Sequence, residues 1–175
     1  MRLPESFGQL TSLALLSLTH NQLTELPASI GQLTRLELLH LTENRLTALP
    51  TSVGSLTQLE KLYLQENQLR ELPETIGRMT ALFFLVLSQN ELRVLPESIG
   101  VLPSLAYLFL DENHLTRLPR SLRELPLSEL YLHGNEALGI PVEFLGPTWQ
   151  NVYWEDATPA APSAVLAAYV PWQRP

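Results

Sequence analysis

The sequence contains no cysteine. That excludes a disulfide framework and a thiolate metal site, and nothing argues for an oxidising compartment. It also lacks any apolar run approaching a membrane span, and its first ten residues, MRLPESFGQL, hold no apolar stretch of signal-peptide length. A soluble, cytoplasmic protein is expected. Basic residues are few: 11 Lys and Arg stand against 18 Asp and Glu, a formal net charge of −7. Nucleic-acid backbones and anionic membrane surfaces both require clustered cations, so neither is expected as a partner. A basic partner suits the charge better.

Catalytic constellations are missing as well. The four histidines, His20, His40, His114 and His133, show neither HExxH nor the i, i+4 spacing of a helical metal site. His40 and Ser17 fall in one strand column, but no acid in that column orients the imidazole. All four are read as exposed surface residues. Glu43 and Glu66 come roughly 5 Å apart on adjacent strands, where solvent leaves them ordinary carboxylates. No GxxxxGK[ST] stretch occurs, which removes nucleotide chemistry of the P-loop kind. The expectation is no enzyme activity, no metal and no cofactor.

What the chain has instead is repetition. Asn21, Asn44, Asn67, Asn90 and Asn113 stand 23 residues apart, and Asn135 follows after 22. Pro4, Pro27, Pro50, Pro73, Pro96 and Pro119 keep the same step, as do Gly8, Gly31, Gly54, Gly77 and Gly100. The unit is LxxLxLxxNxLxxLPxxIGxLxx. Full copies begin at Leu13, Leu36, Leu59, Leu82 and Leu105, and a divergent one begins at Leu127.

Each column has a physical reason. In LEKLYL, Leu62 and Leu64 face one side of a strand, while Lys61, Tyr63 and Gln65 face the other. Where the chain leaves the sheet, backbone N–H and C=O groups lose their ladder partners, and an Asn amide both donates and accepts. Asn21, Asn44, Asn67, Asn90, Asn113 and Asn135 are therefore expected to form a structural ladder. Proline suits the start of the return segment and glycine the tight bend in ETIGRM; the return itself is expected as a short 3-10 or helical turn. Units that cannot bury their leucines alone must stack, which predicts a right-handed solenoid with a curved parallel sheet on its concave face.

This unit resembles the leucine-rich-repeat family, and most closely its 23-residue LPxxIG subclass, found in Ras-linked scaffold proteins, plant intracellular Ras-group repeat proteins and bacterial Roco proteins. The resemblance implies an α/β solenoid whose members share binding surfaces rather than one activity. The segment YLHGNEALGIPVEFLGPTWQNVYWEDATPAAPSAVLAAYV is similar to the close of the repeat array in bacterial Roco proteins. That second likeness implies an alternative role, as the regulatory array of a Roco-type GTPase system.

The two ends depart from the unit in different ways. Residues 1–146 read as the array, starting part-way through a unit with no polar cap ahead of it. That end is expected to be open, so self-assembly through its unpaired strand groups is a further alternative. In the fifth unit Arg123 replaces the expected glycine, suggesting a more regular helix there. Residues 147–175 read as a capping segment, with Trp149, Trp154 and Trp172 covering the last core or, as the alternative, forming a partner site, and with a short helix running from an N-cap at Ser163 to a stop at Pro171.

The face opposite the leucines is free of the repeat's demands. Its columns bring together Tyr63, Phe84, Val86, Tyr107, Phe109 and Tyr131 as an exposed aromatic patch, with His40 beside it and Glu43, Glu66, Asp111 and Glu112 along one flank. An exposed apolar area of several hundred Å² marks a binding site, and Tyr and Phe are enriched at interfaces. These residues are the expected contacts for a protein or peptide partner, with coverage by a further domain or another copy of the chain as the alternative. The row Arg45, Arg70, Arg93 and Arg117 reads as a solvated edge.

Overall fold

In the structure, a computed structural model that describes residues 1–169, each unit contributes one short strand. These are β1 (Leu15–Ser17), β2 (Leu38–His40), β3 (Lys61–Tyr63), β4 (Phe84–Val86), β5 (Tyr107–Phe109) and β6 (Glu129–Tyr131). They form one parallel sheet in sequence order. The register is set by the core: Leu39 pairs with Leu62, Leu62 with Leu85 and Leu85 with Leu108, so the middle leucine of every strand points inward and its two neighbours outward. A slip of one residue would turn the leucines to solvent.

Behind the sheet, Pro4, Pro27, Pro50, Pro73, Pro96 and Pro119 each adopt an extended conformation and lead into a five-residue 3-10 turn, such as Glu74–Arg78 after Pro73. The bonds are i to i+3: Ile76 N–H donates to the Pro73 carbonyl at 2.9 Å and Met79 N–H to the Ile76 carbonyl at 3.1 Å. The glycines act through close approach rather than through a tight bend. A Cβ on Gly77 would stand 2.5 Å from the Ser98 carbonyl oxygen of the next turn, and Gly31 and Gly54 meet Ser52 and Thr75 at the same distance. Arg123 does not produce a regular helix. Arg120–Glu124 is another 3-10 turn, and the next such segment, Glu136–Leu138, has only three residues.

The asparagines sit where the sheet ends. Asn67 donates to the carbonyls of Leu64 and Gln65 in its own unit, at 3.1 and 3.3 Å, and of Leu41 in the preceding unit, at 3.0 Å. Its Oδ1 accepts from Leu46 N–H at 3.0 Å. Asn44, Asn90, Asn113 and Asn135 repeat this bridge, whereas among the described residues the Asn21 side chain donates to the Leu18 and Thr19 carbonyls of its own unit and to no preceding one. The preceding residue is left-handed throughout: His20, Glu43, Glu66, Gln89 and Glu112 have φ of 53 to 56°, and Gly134 has 71°.

After β6 come three helices, α1 (Val142–Leu145), α2 (Trp149–Glu155) and α3 (Pro162–Ala167). Val165 and Leu166 of α3, with Tyr169 just beyond, join the leucine core, and the Tyr169 hydroxyl accepts from Leu118 N–H at 3.2 Å. Ser163 is not the N-cap of α3. Ala161 holds that place and Pro162 opens the helix, where its missing N–H costs nothing. Trp149 and Trp154 do not cover the last core, because α2 lies on the concave side. Pro171 and Trp172 lie outside the described residues.

Candidate functional site: an aromatic cleft on the concave face

The outward residues of the strands bring the expected aromatics into one run. His40 and Tyr63 have ring centroids 4.8 Å apart, Tyr63 and Phe84 5.5 Å, Phe84 and Tyr107 5.4 Å, Phe84 and Phe109 5.1 Å, and Phe109 and Tyr131 4.8 Å. The parallel register puts successive outward residues side by side, and tilted or offset rings at such distances attract one another.

The patch is only half open. Val86, Phe109 and Tyr131 are 8%, 4% and 2% exposed, because Trp149 and Val152 of α2 pack on them. The expectation of an exposed surface fails for these three. The reason is the same hydrophobic force that made the patch conspicuous: a covering helix removes it from water. His40, Tyr63, Phe84 and Tyr107 remain half-exposed. In α2 the residues Trp149, Val152 and Tyr153 fall at i, i+3 and i+4, one face of a helix. Its start is capped by Thr148, whose Oγ1 accepts from Asn151 N–H at 3.4 Å. The TWQNVYWE stretch carries this helix signal in plain sight, and sequence reasoning passed over it.

Polar contacts fasten the helix to the sheet. Trp149 Nε1–H donates to Asp111 Oδ2 at 3.2 Å, while Ser88 Oγ bonds Asp111 Oδ1 at 2.6 Å. Tyr131 and Tyr153 both donate to Glu129 Oε2, at 2.8 and 3.2 Å. His133 Nε2 lies 3.1 Å from the Gly146 carbonyl. Burial raises the Asp111 carboxyl above the usual range, and the hydrogen bonds from Ser88 and Trp149 offset only part of that. Burial also raises Tyr131, and it pushes Tyr153 up to about 12 with help from the nearby Glu129 charge. Both phenols therefore stay protonated and available as donors at neutral pH.

Two of the four histidines are half-buried rather than exposed, His40 and His133. Desolvation, and then the charge of His20, lowers His40, so its imidazole is mainly neutral at pH 7. Ser17 Oγ is bonded to Thr19 Oγ1 at 2.9 Å, and His20 pairs with Glu43 at 2.6 Å. Among the described residues no group of three or more His, Asp or Glu is placed to hold a metal ion. On the lateral edge, Arg70 pairs with Glu91 at 3.1 Å, and Arg45, Arg93 and Arg117 are exposed.

Between α2 and the strands lies a cleft of about 580 Å³. Tyr63, Phe84 and Phe109 form its floor and Trp149, Tyr153 and Trp154 its far wall, with Glu66, Asp111 and Glu112 also lining it. Of the expected flank, only Glu43 lies outside this group.

The geometry finds its counterpart in known proteins. A family description reading "leucine-rich repeat region" matches residues 1–68, and one reading "leucine rich repeat" matches 58–79. The chain has the leucine-rich-repeat solenoid fold. Among solved leucine-rich-repeat structures, the repeat domain of the type III effector XopL is 33% identical with a TM-score of 0.70; the match covers 78% of this chain and 49% of that one. The ectodomain of the Arabidopsis thaliana receptor kinase GASSHO1/SCHENGEN3, in complex with Casparian strip integrity factor 2, is 31% identical with a TM-score of 0.70, over 75% and 17% of the two chains. The plant peptide hormone receptor RGFR1, in complex with RGF2, is 33% identical with a TM-score of 0.68, over 76% and 22%. The chain thus spans about half the XopL domain and less than a quarter of either receptor. No curated protein sequence matches it.

Proposed function

We propose that the chain is a non-catalytic interaction module that binds an extended protein or peptide segment along its concave face. The segment would run over His40, Tyr63, Phe84 and Tyr107 and into the cleft beside α2. One observation carries the reading: the repeat leaves the outward strand positions free, yet they hold aromatic side chains in continuous contact, and their N-terminal half stays uncovered. Rigid aromatic rings supply contact area at low entropic cost and dominate interface energetics. Two of the similar structures are receptor complexes, one of them of a peptide hormone receptor with RGF2, which supports the class of partner. A basic segment is favoured by the net charge of −7, and the absence of cysteine suits a cytoplasmic setting. Membership of the 23-residue LPxxIG subclass belongs to the same proposal and rests on the Asn, Pro and Gly spacing.

The test is selection from a displayed library of random peptides on the full-length chain, followed by calorimetry of the recovered peptides. Phe84→Ala and Tyr107→Ala should each weaken binding by about 2 kcal/mol or more, while Arg70→Ala on the lateral edge should leave it unchanged. Sensitivity to Arg70 with indifference to Phe84 and Tyr107 would put the site elsewhere.

A further inference from the structure

We infer that the cleft under α2 receives the guanidinium of an arginine side chain in the bound segment; this rests on the concave-face reading and names the chemistry of its main subsite. The walls are aromatic, and among them Trp149 and Trp154 meet at 69° with centroids 5.7 Å apart, forming a corner open to the cleft. Trp154 is 76% exposed. Beyond its contact with Trp149 this indole is left largely in water, and at the mouth of a cleft it offers a face to a cation.

The charges point the same way. Glu66, Asp111 and Glu112 line the cleft, with no lysine or arginine among its described lining residues. Asp111 is already occupied by Ser88 and Trp149. Glu66 and Glu112 form no ion pair among the described residues. Both are held in the left-handed region, at φ 55° and 53°, a conformation that glutamate adopts only at a cost. The sixth unit has Gly134 in this column, and a Cβ there would stand 2.8 Å from the Glu112 carboxylate carbon. The missing side chain gives that carboxylate its room.

Aromatic faces flanked by two free carboxylates match a group that is flat, permanently charged and forked. Arginine stacks on rings and bonds carboxylates in its plane, which an ammonium does less well. A volume near 580 Å³ is in the range of pockets that enclose a small ligand, ample for one long side chain.

The experiment uses the full chain with three probes: N-acetyl-arginine methylamide, its citrulline counterpart, which keeps the shape without the charge, and its lysine counterpart. Binding is followed through the Trp149 and Trp154 indole N–H resonances. The arginine probe should produce a saturable shift of both, with citrulline at least tenfold weaker and lysine several-fold weaker. Glu66→Gln with Glu112→Gln should weaken the arginine probe at least fivefold and flatten its salt dependence. Citrulline or lysine at parity with arginine, no shift at either indole, or a double variant that binds unchanged would each overturn the inference. If displayed peptides lose affinity with Phe84→Ala yet show no arginine preference, this inference falls and the concave-face reading stands. If none is sensitive to Phe84→Ala, that reading itself fails.

Discussion

The amide of Asn67 satisfies three carbonyls and one N–H in two adjacent units, at a place where water has been excluded. Asn67→Ala should therefore cost about 1–3 kcal/mol, the penalty for buried backbone groups left unpaired. Asn21→Ala, where the side chain is exposed and, among the described residues, bonds within its own unit, should cost clearly less. Chemical denaturation of the two variants checks this, and equal midpoints would contradict it. The asparagine column was legible in the sequence because only a group that both donates and accepts serves such a corner. The left-handed residue beside it was not, since four of its six occupants are Glu or Gln, which do not advertise a positive φ. Gly134 in HGN was the one available sign.

At the scale of elements, α2 has the largest effect on the binding surface. Its helical character could be read from Thr148 and from the spacing of Trp149, Val152 and Tyr153. Its docking place could not, because an apolar helix face fits the open end of the core as well as an apolar sheet, and local sequence does not choose between them. The end of the core was taken by Val165, Leu166 and Tyr169, leaving the sheet to α2. A seven-residue helix held through one face should open well below global unfolding. Trp149→Ala removes both its main apolar contact and a donor to the buried Asp111 carboxylate. The variant should bind a hydrophobic fluorescent dye several-fold more strongly as Val86, Phe109 and Tyr131 become accessible, while the denaturation midpoint of the array changes little. Unchanged dye binding would mean that the remaining contacts hold the helix in place.

The molecule as a whole is a stack in which each unit contacts its neighbours, and the 23-residue period was enough to anticipate strand order, register and the convex turns. The role of glycine was misread because a period within one chain does not disclose how closely two successive turns approach; 2.5 Å from a Cβ to a carbonyl oxygen is a property of the stack. The interchangeable register has a consequence for length. Removing residues 37–59, one whole period, would place Leu16 beside Leu62, Gly31 against Thr75, and Asn67 within reach of Leu18 and Leu23, each meeting the same kind of partner as before. Such a shortened chain should still unfold in one cooperative transition, with a proportionally smaller denaturant dependence; loss of cooperativity would show that the units are not equivalent. The concave face then behaves as a ruler graduated in strand spacings of about 4.8 Å. Duplication or loss of a single 23-residue block changes its reach by one graduation, with no repair needed elsewhere in the chain.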